Sequence, residues 1–200
     1  MRHRCITLAA VLFALMLGAC QAKNDYPGRY FDYSGKDGCS PPNIGHGLGG
    51  DLPGFARNSI EGMMAISSMQ SSDCFKNWEV DLNQAVDVIV LSHDSAFGDR
   101  DLGSLSRDQL PEGISTLDEF TSALLKLDLQ KPLILDIKKV SNPDLWPEMR
   151  KAARTIKERG KISVWFIIDG NDADAHAGIC DFLNGEFEVM LYRKGGPLCT

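Results

Sequence analysis

Four apolar runs, VIVL (88–91), PLILDIKK (132–139), ISVWFIID (162–169) and FEVMLYRK (187–194), read as strands buried on both faces. Between and before them lie segments with helical periodicity. One spans residues 59–70, with Ile60, Met63, Met64, Ile66 and Met69 on a core face. A second is ISTLDEFTSALLKL (114–127), with a capping box at Thr116 and Glu119 and a stripe of Leu117, Phe120, Leu124 and Leu127. A third runs from about Asp144 to Arg159 and stops at Gly160, and a fourth covers 173–184 and ends at Gly185. Buried strands alternating with amphipathic helices restrict the chain to an α/β fold with parallel strands. Two further runs, NIGHGLGG (43–50) and WEVDLNQ (78–84), bring the expected number of strands to six.

The chemistry is concentrated between Trp78 and Asp94. Alternation along a strand puts Glu79 and Asp81 on the same face. A short break at Asn83 to Asp87 follows, and then a strand that ends on Ser92, His93 and Asp94. Asp136 and Lys138 form a second same-face pair on another strand, and His46 closes the short run before the glycines. In α/β barrels functional groups gather at the C-terminal ends of strands, and all these residues lie at or near such ends. Glu79, Asp81 and Asp136 supply the hard oxygen ligands that Mg²⁺ or Ca²⁺ prefers. His46 and His93 supply imidazoles that titrate near neutrality, suited to a general acid and a general base. Lys138 adds a cation where an anion would bind. The set suits hydrolysis or transfer at a phosphodiester, where charge stabilisation carries most of the work.

Plainer readings stand beside these. His46 before a glycine cluster fits a turn or a core histidine, Asp94 fits a loop cap, and Asp136 with Lys138 fits a structural ion pair. Glu79 and Asp81 fit a solvated edge strand, and the methionines of 59–70 a core face. Carboxylates inside apolar strands are costly to bury without a partner, however, and two separate strands carry them.

Of the 200 residues, 44% are hydrophobic, 21 are Lys or Arg and 27 are Asp or Glu. This composition suits one globular domain, and the acidic balance without a basic run argues against nucleic acid as a partner. The start has a secretory layout: Arg2 and Arg4, an apolar core from Ile6 to Leu17, then Gly18, Ala19 and Cys20. LGAC resembles the bacterial lipobox, which implies cleavage before Cys20, lipidation of Cys20 and, with Gln21 following, the outer membrane facing the periplasm. An ordinary signal with a cysteine here by chance is the alternative. The division expected is a signal peptide over 1–19, a lipidated N-terminus and tether over 20–42, and the domain over 43–200. Cys39, Cys74, Cys180 and Cys199 form an even set in a compartment that permits disulfides. Neighbourhood along the chain favours Cys39 with Cys74 and Cys180 with Cys199, among three connectivities. No CxxC pair occurs, which argues against a zinc site.

The segments IGHGLGG, ARNSIEG, WEVDLNQ, VIVLSHD, ISTLDEF and LILDIKK, over residues 44 to 139, resemble in order the HRG, ENT, ExD, HD, PTLxE and carboxylate-x-Lys motifs of the glycerophosphodiester phosphodiesterase family. That family belongs to the phospholipase C-like phosphodiesterases, which fold as TIM barrels. The resemblance implies a TIM-barrel-like fold and a metal-dependent phosphodiester hydrolase acting on a glycerophosphodiester or phospholipid headgroup. It makes Glu79, Asp81 and Asp136 ligands of one Mg²⁺ or Ca²⁺, His46 and His93 the acid/base pair, and Lys138, with Arg57, the phosphate contacts. The Asp of DIK is also similar to the sphingomyelinase D branch. Gly47 stands where the family has the arginine of HRG, the stretch from Asp94 to Ile114 is short, and six strands make an incomplete barrel. These departures support a second reading, a catalytically inactive envelope lipoprotein that uses the barrel remnant as a binding or structural scaffold.

Overall fold

The computed structural model describes residues 45–192, apart from 50–53, 70, 71, 73, 74, 128, 130, 170–172 and 184; only the backbone is described at 169, 173–177, 191 and 192. The expected signal and tether, and with them Cys20, Cys39, Cys74 and Cys199, lie outside the described residues. Cys180 is buried in the core. No helix among the described residues is long and apolar enough to cross a membrane.

The described residues form a mixed sheet of five strands: β1 (Trp78–Gln84), β2 (Ile89–Leu91), β5 (Leu133–Lys139), β6 (Val164–Asp169) and β7 (Glu188–Tyr192), in the order β2-β1-β5-β6-β7. Strands β1, β5, β6 and β7 are parallel. Helices α1 (Ile60–Ser67), α2 (Leu117–Leu124), α3 (Trp146–Arg159) and α4 (Ala173–Leu183) make up the rest of the α/β architecture. It is compatible with a partial TIM-like fold.

Alternation sorts the two faces of the sheet. Trp78, Val80 and Leu82 of β1, Leu133, Leu135 and Ile137 of β5, and Val164, Phe166 and Ile168 of β6 share one buried core with Phe120, Met149, Ala153, Ile156 and Ile179 from the helices. The opposite face carries Glu79, Asp81 and Asp136, followed by a small apolar cluster of Ile134, Ile167 and Met190. Apolar burial therefore holds one face shut, and the chemistry sits on the other.

The local signals hold well. Thr116 and Glu119 form the capping box of α2, with Thr116 N–H donating to Glu119 Oε2 at 2.8 Å. Gly185 adopts φ 80 just past α4. After α3, Gly160 is still right-handed (φ −75), and the left-handed turn falls on Lys161 (φ 56). Gly160 is needed for space instead, since a Cβ there would sit 2.6 Å from the Ile156 carbonyl oxygen. In α1, Met63 and Ile66 are fully buried as expected, whereas Met64 and Met69 are exposed because the helix, ending at Ser67, turns only one narrow face inward.

Two expectations change. Strand β2 pairs antiparallel with β1, because the break between them is far too short for a parallel crossover of roughly a dozen residues. Of the first run, the described residues contribute a bridge, Gly45 to Trp78, before a tight turn over His46–Gly49. The N-terminal half of β1 thus borders Gly45 and its C-terminal half borders β2. The stretch from Asp94 to Ile114 holds a small hairpin, β3 (Ala96–Phe97) and β4 (Arg100–Asp101), and two short 3₁₀ turns.

Candidate active site

Glu79 and Asp81 are both fully buried, on the face of β1 away from the helices. Parallel pairing sets Asp81 level with Asp136 of β5, so two carboxylates lie side by side. The register between β1 and β5 then slips by one residue, passing from Leu82 opposite Ile137 to Asn83 opposite Lys139, so Lys138 is the extra residue on β5. Such bulges re-aim side chains. Lys138 Nζ lies 2.7 Å from Asp136 Oδ2 and 3.1 Å from Asp81 Oδ1, between the two acids. The ionic reading of Asp136 and Lys138 is therefore met, with Asp81 as a third member.

The turn after Gly45 brings up the rest. Gly47 (φ 53) and Leu48 (φ 60) are both left-handed, which swings the Gly47 N–H onto Glu79 Oε2 at 2.6 Å and leaves His46 Nε2 3.7 Å from the same oxygen. Ligand atoms of His46, Glu79 and Asp81 come within 4.8 Å of one another. Two carboxylate oxygens here, Glu79 Oε1 and Asp81 Oδ1, are buried without a hydrogen bond, and Asp81 Oδ1 has only its ionic contact with Lys138. Buried oxygens with unused lone pairs, two carboxylates and an imidazole fit a hard divalent cation. The group that converges most tightly thus includes His46, while Asp136 is drawn to Lys138.

Burial pushes the Glu79 carboxyl well above its ordinary value, and neighbouring Asp81 and Asp136 push it further, against the Gly47 N–H and Lys138. Asp136 is raised too, by burial, with Lys138 opposing. Burial works against the charge of Lys138, but Asp136 and Asp81 outweigh it and hold the ammonium above its usual range.

One residue central to the site went unassigned in the sequence. Asn58, buried and left-handed (φ 56), donates from Nδ2 to Asp81 Oδ2 at 2.9 Å, accepts from the Asp81 N–H at 3.0 Å, and donates its own N–H to the Gly47 carbonyl at 2.7 Å. It ties the glycine turn to the strand. Asparagine tolerates this backbone region, and its place before the cap Ser59 of α1 was the available signal.

Arg57 comes to the position left without an arginine. A Cβ on Gly47 would meet Arg57 Cβ and Cγ at 3.2 Å, so the arginine stem lies over the glycine, and Arg57 Nη2 reaches His46 Nδ1 at 3.3 Å. His93 stands apart on the turn after β2, half-exposed, with Nδ1 2.8 Å from Asp94 Oδ1. A cavity of about 390 Å³ is lined by residues of both regions, Arg57 and Asn58 together with Ser92, His93 and Asp94.

No protein-family model matches this sequence, and no curated protein matches it either. The fold is similar to the solved structure of a phosphodiesterase from Oleispira antarctica in complex with the product sn-glycerol-3-phosphate. The TM-score is 0.51 and the identity 16%, over 73% of this chain and 63% of that one. The chain thus spans about 63% of the length of that enzyme, and the likeness is one of fold.

Proposed function

We propose that the chain is a divalent-metal phosphodiester hydrolase acting on a glycerophosphodiester or a phospholipid headgroup. The carrying observation is the buried, unpaired Glu79 Oε1 on a strand face shared with Asp81 and Asp136, an arrangement that costs stability unless a cation completes it. The fold likeness to a phosphodiesterase supports the reading. Glu79 and Asp81 would hold Mg²⁺ or Ca²⁺; Asp136, level with Asp81 but paired with Lys138 here, would be the third carboxylate, and His46, although it converges on the same two acids, is kept for proton transfer. The ion would neutralise charge developing on the phosphoryl oxygens.

The contacts of the two histidines divide their labour. A guanidinium has only donors, so His46 Nδ1 accepts from Arg57 while the ring is neutral. To act as the acid His46 would carry a second proton, which releases Arg57 from Nδ1 towards the phosphate; the imidazolium would then give its Nε2 proton to the departing alkoxide and, in that role, is not itself a ligand. His93 meets the Asp94 carboxylate through Nδ1, which puts its proton there and leaves the Nε2 lone pair to accept one from water. Water oxygen bonds to phosphorus as the ester P–O bond breaks, giving a phosphomonoester and an alcohol. Lys138 and Arg57 contact the phosphate.

The test measures Mg²⁺ and Ca²⁺ binding alongside hydrolysis of glycerophosphodiesters. Glu79→Ala should lose both, and His93→Ala should keep the metal and lose turnover by at least about 100-fold. Metal binding without turnover of any diester would favour the scaffold reading instead, to which the absence of an arginine at Gly47 lends support.

A further inference from the structure

Lys138 occupies the place in which a cation held by Asp81 and Asp136 would lie. Both carboxylate oxygens of Asp81 are engaged: Oδ2 accepts from Asn58 Nδ2 at 2.9 Å, and Oδ1 faces Lys138 Nζ at 3.1 Å. Asp136 Oδ2 accepts from the same ammonium at 2.7 Å. Oxygen ligands sit about 2.0–2.1 Å from Mg²⁺ and about 2.3–2.6 Å from Ca²⁺. An ion on Asp81 Oδ1 and Asp136 Oδ2 would therefore fill much the same volume as the Lys138 ammonium, and two cations sharing one pair of oxygens repel each other. Glu79 Oε1, by contrast, is buried without a hydrogen bond, so it is open to an ion while the other two carboxylates face the lysine.

The lysine has a way out that the acids lack. Its side chain is 24% exposed where that of Asp81 is 0% exposed, it is the extra residue in the slip between β1 and β5, and a flexible four-carbon stem carries its charge. Asp136 and Asp81 hold the ammonium above its usual range, so it leaves as a cation and not by losing a proton. Resting on the reading of Glu79, Asp81 and Asp136 as ligands of one divalent ion, we propose that Lys138 is an internal counter-cation that closes the metal-free site, and that Mg²⁺ or Ca²⁺ enters by exchange with its ammonium. The exchange keeps the buried acids paired in both states, where removal of the only cation would leave uncompensated buried charge. It also sets an order. The ammonium is committed to Asp81 and Asp136 until the ion arrives, so Lys138 turns to the substrate phosphate only in the loaded site.

The experiment needs no turnover. Calorimetric titration with Mg²⁺ and with Ca²⁺ is carried out on the whole protein and on its Lys138→Met variant. A site closed in most molecules binds more weakly in proportion to the fraction that is open, so removing the ammonium should tighten both ions about tenfold or more. A lysine that only braces the two strands predicts the opposite, weaker binding in the variant. A second measurement leaves the sequence intact: reductive methylation followed by peptide mapping should find Lys138 protected in EDTA and modified several-fold faster in saturating Ca²⁺. Ion affinity that is unchanged or weaker in a folded Lys138→Met protein, or equal labelling of Lys138 with and without Ca²⁺, would overturn the exchange while leaving the ligand set standing. If neither protein binds either ion, the exchange and the metal reading fall together. If the ions bind and Lys138 responds as stated while no diester is hydrolysed, catalysis falls and the exchange stands.

Discussion

Asn58→Ala is the perturbation that tests the architecture of the site most directly. Truncation removes the hydrogen bond from Asn58 Nδ2 to a buried carboxylate, Asp81 Oδ2 at 2.9 Å, a class of bond that contributes about 1.5–3 kcal/mol. It also leaves the buried Asp81 N–H without its 3.0 Å acceptor, which costs about 1–3 kcal/mol. Alanine must further adopt φ 56, at about 1 kcal/mol or more. These losses share one partner and do not simply add, so the expected destabilisation is roughly 3–5 kcal/mol. Asn58→Gly loses the same hydrogen bonds but accepts the backbone geometry, and it should be less destabilised than Asn58→Ala by about 1 kcal/mol. Because the Asp81 carboxylate then keeps, among the described residues, its contact with Lys138 alone, Mg²⁺ or Ca²⁺ affinity should fall about 10–100-fold in both variants, as losses of ligand-orienting partners do. Urea denaturation in EDTA and calorimetric metal titration read the two effects. An Asn58→Ala protein within about 1 kcal/mol of the parent, with unchanged metal affinity, would refute the clamp.

Lys138→Met should leave two level buried carboxylates facing each other without their cation and lower apo stability by about 3 kcal/mol. Saturating Mg²⁺ or Ca²⁺ should recover much of that loss, and equal urea midpoints with and without metal would contradict it. Glu79, raised above its ordinary 4.5 by burial and by Asp81, contributes stability that is complete below that value and is lost as pH rises through its folded-state pKa. The apo midpoint should therefore fall as pH rises above about 4.5, and metal should reverse the slope; a midpoint in EDTA that climbs over this range counts against a buried Glu79. Glu186, held down to about 2 by hydrogen bonds from Arg154 and Arg150, acts in the opposite sense, its contribution being lost as pH falls from 4.5 through about 2, and Glu186→Gln should flatten that acid limb. If Cys20 is lipidated, Cys20→Ser should leave an unprocessed or soluble form without lipid label; membrane fractionation and lipid labelling both unchanged would disprove the lipidated anchor.

Amphipathic period, strand alternation and caps act between residues within one turn or one strand, and these were readable directly. The α/β class, the capping box at Thr116 and Glu119, the helix stop at Gly160 and the shared faces of Glu79 with Asp81 and of Asp136 with Lys138 follow from spacing alone. So did the suspicion of a cation, because charge inside an apolar strand needs a partner wherever the strand ends up. The antiparallel β2 was also implicit, since the break after β1 is too short for a crossover.

What the spacing left open depends on distances between segments far apart in the chain. Asn58 reaches Asp81 across 23 positions, and Gly47 reaches Glu79 across 32. No periodicity encodes such contacts, because they follow from how the glycine turn docks on the sheet. The one-residue slip that aims Lys138 between Asp81 and Asp136 is likewise a property of two strands together. Residue types determined that carboxylates, imidazoles and cations would be available on strand ends. Packing alone decided that Arg57 would lie over Gly47 against His46, that His93 and Asp94 would line the same cavity as Arg57, and that one oxygen of Glu79 would remain buried without a hydrogen-bond partner, because burial and pairing of this kind are sums over neighbours brought together only by the folded chain.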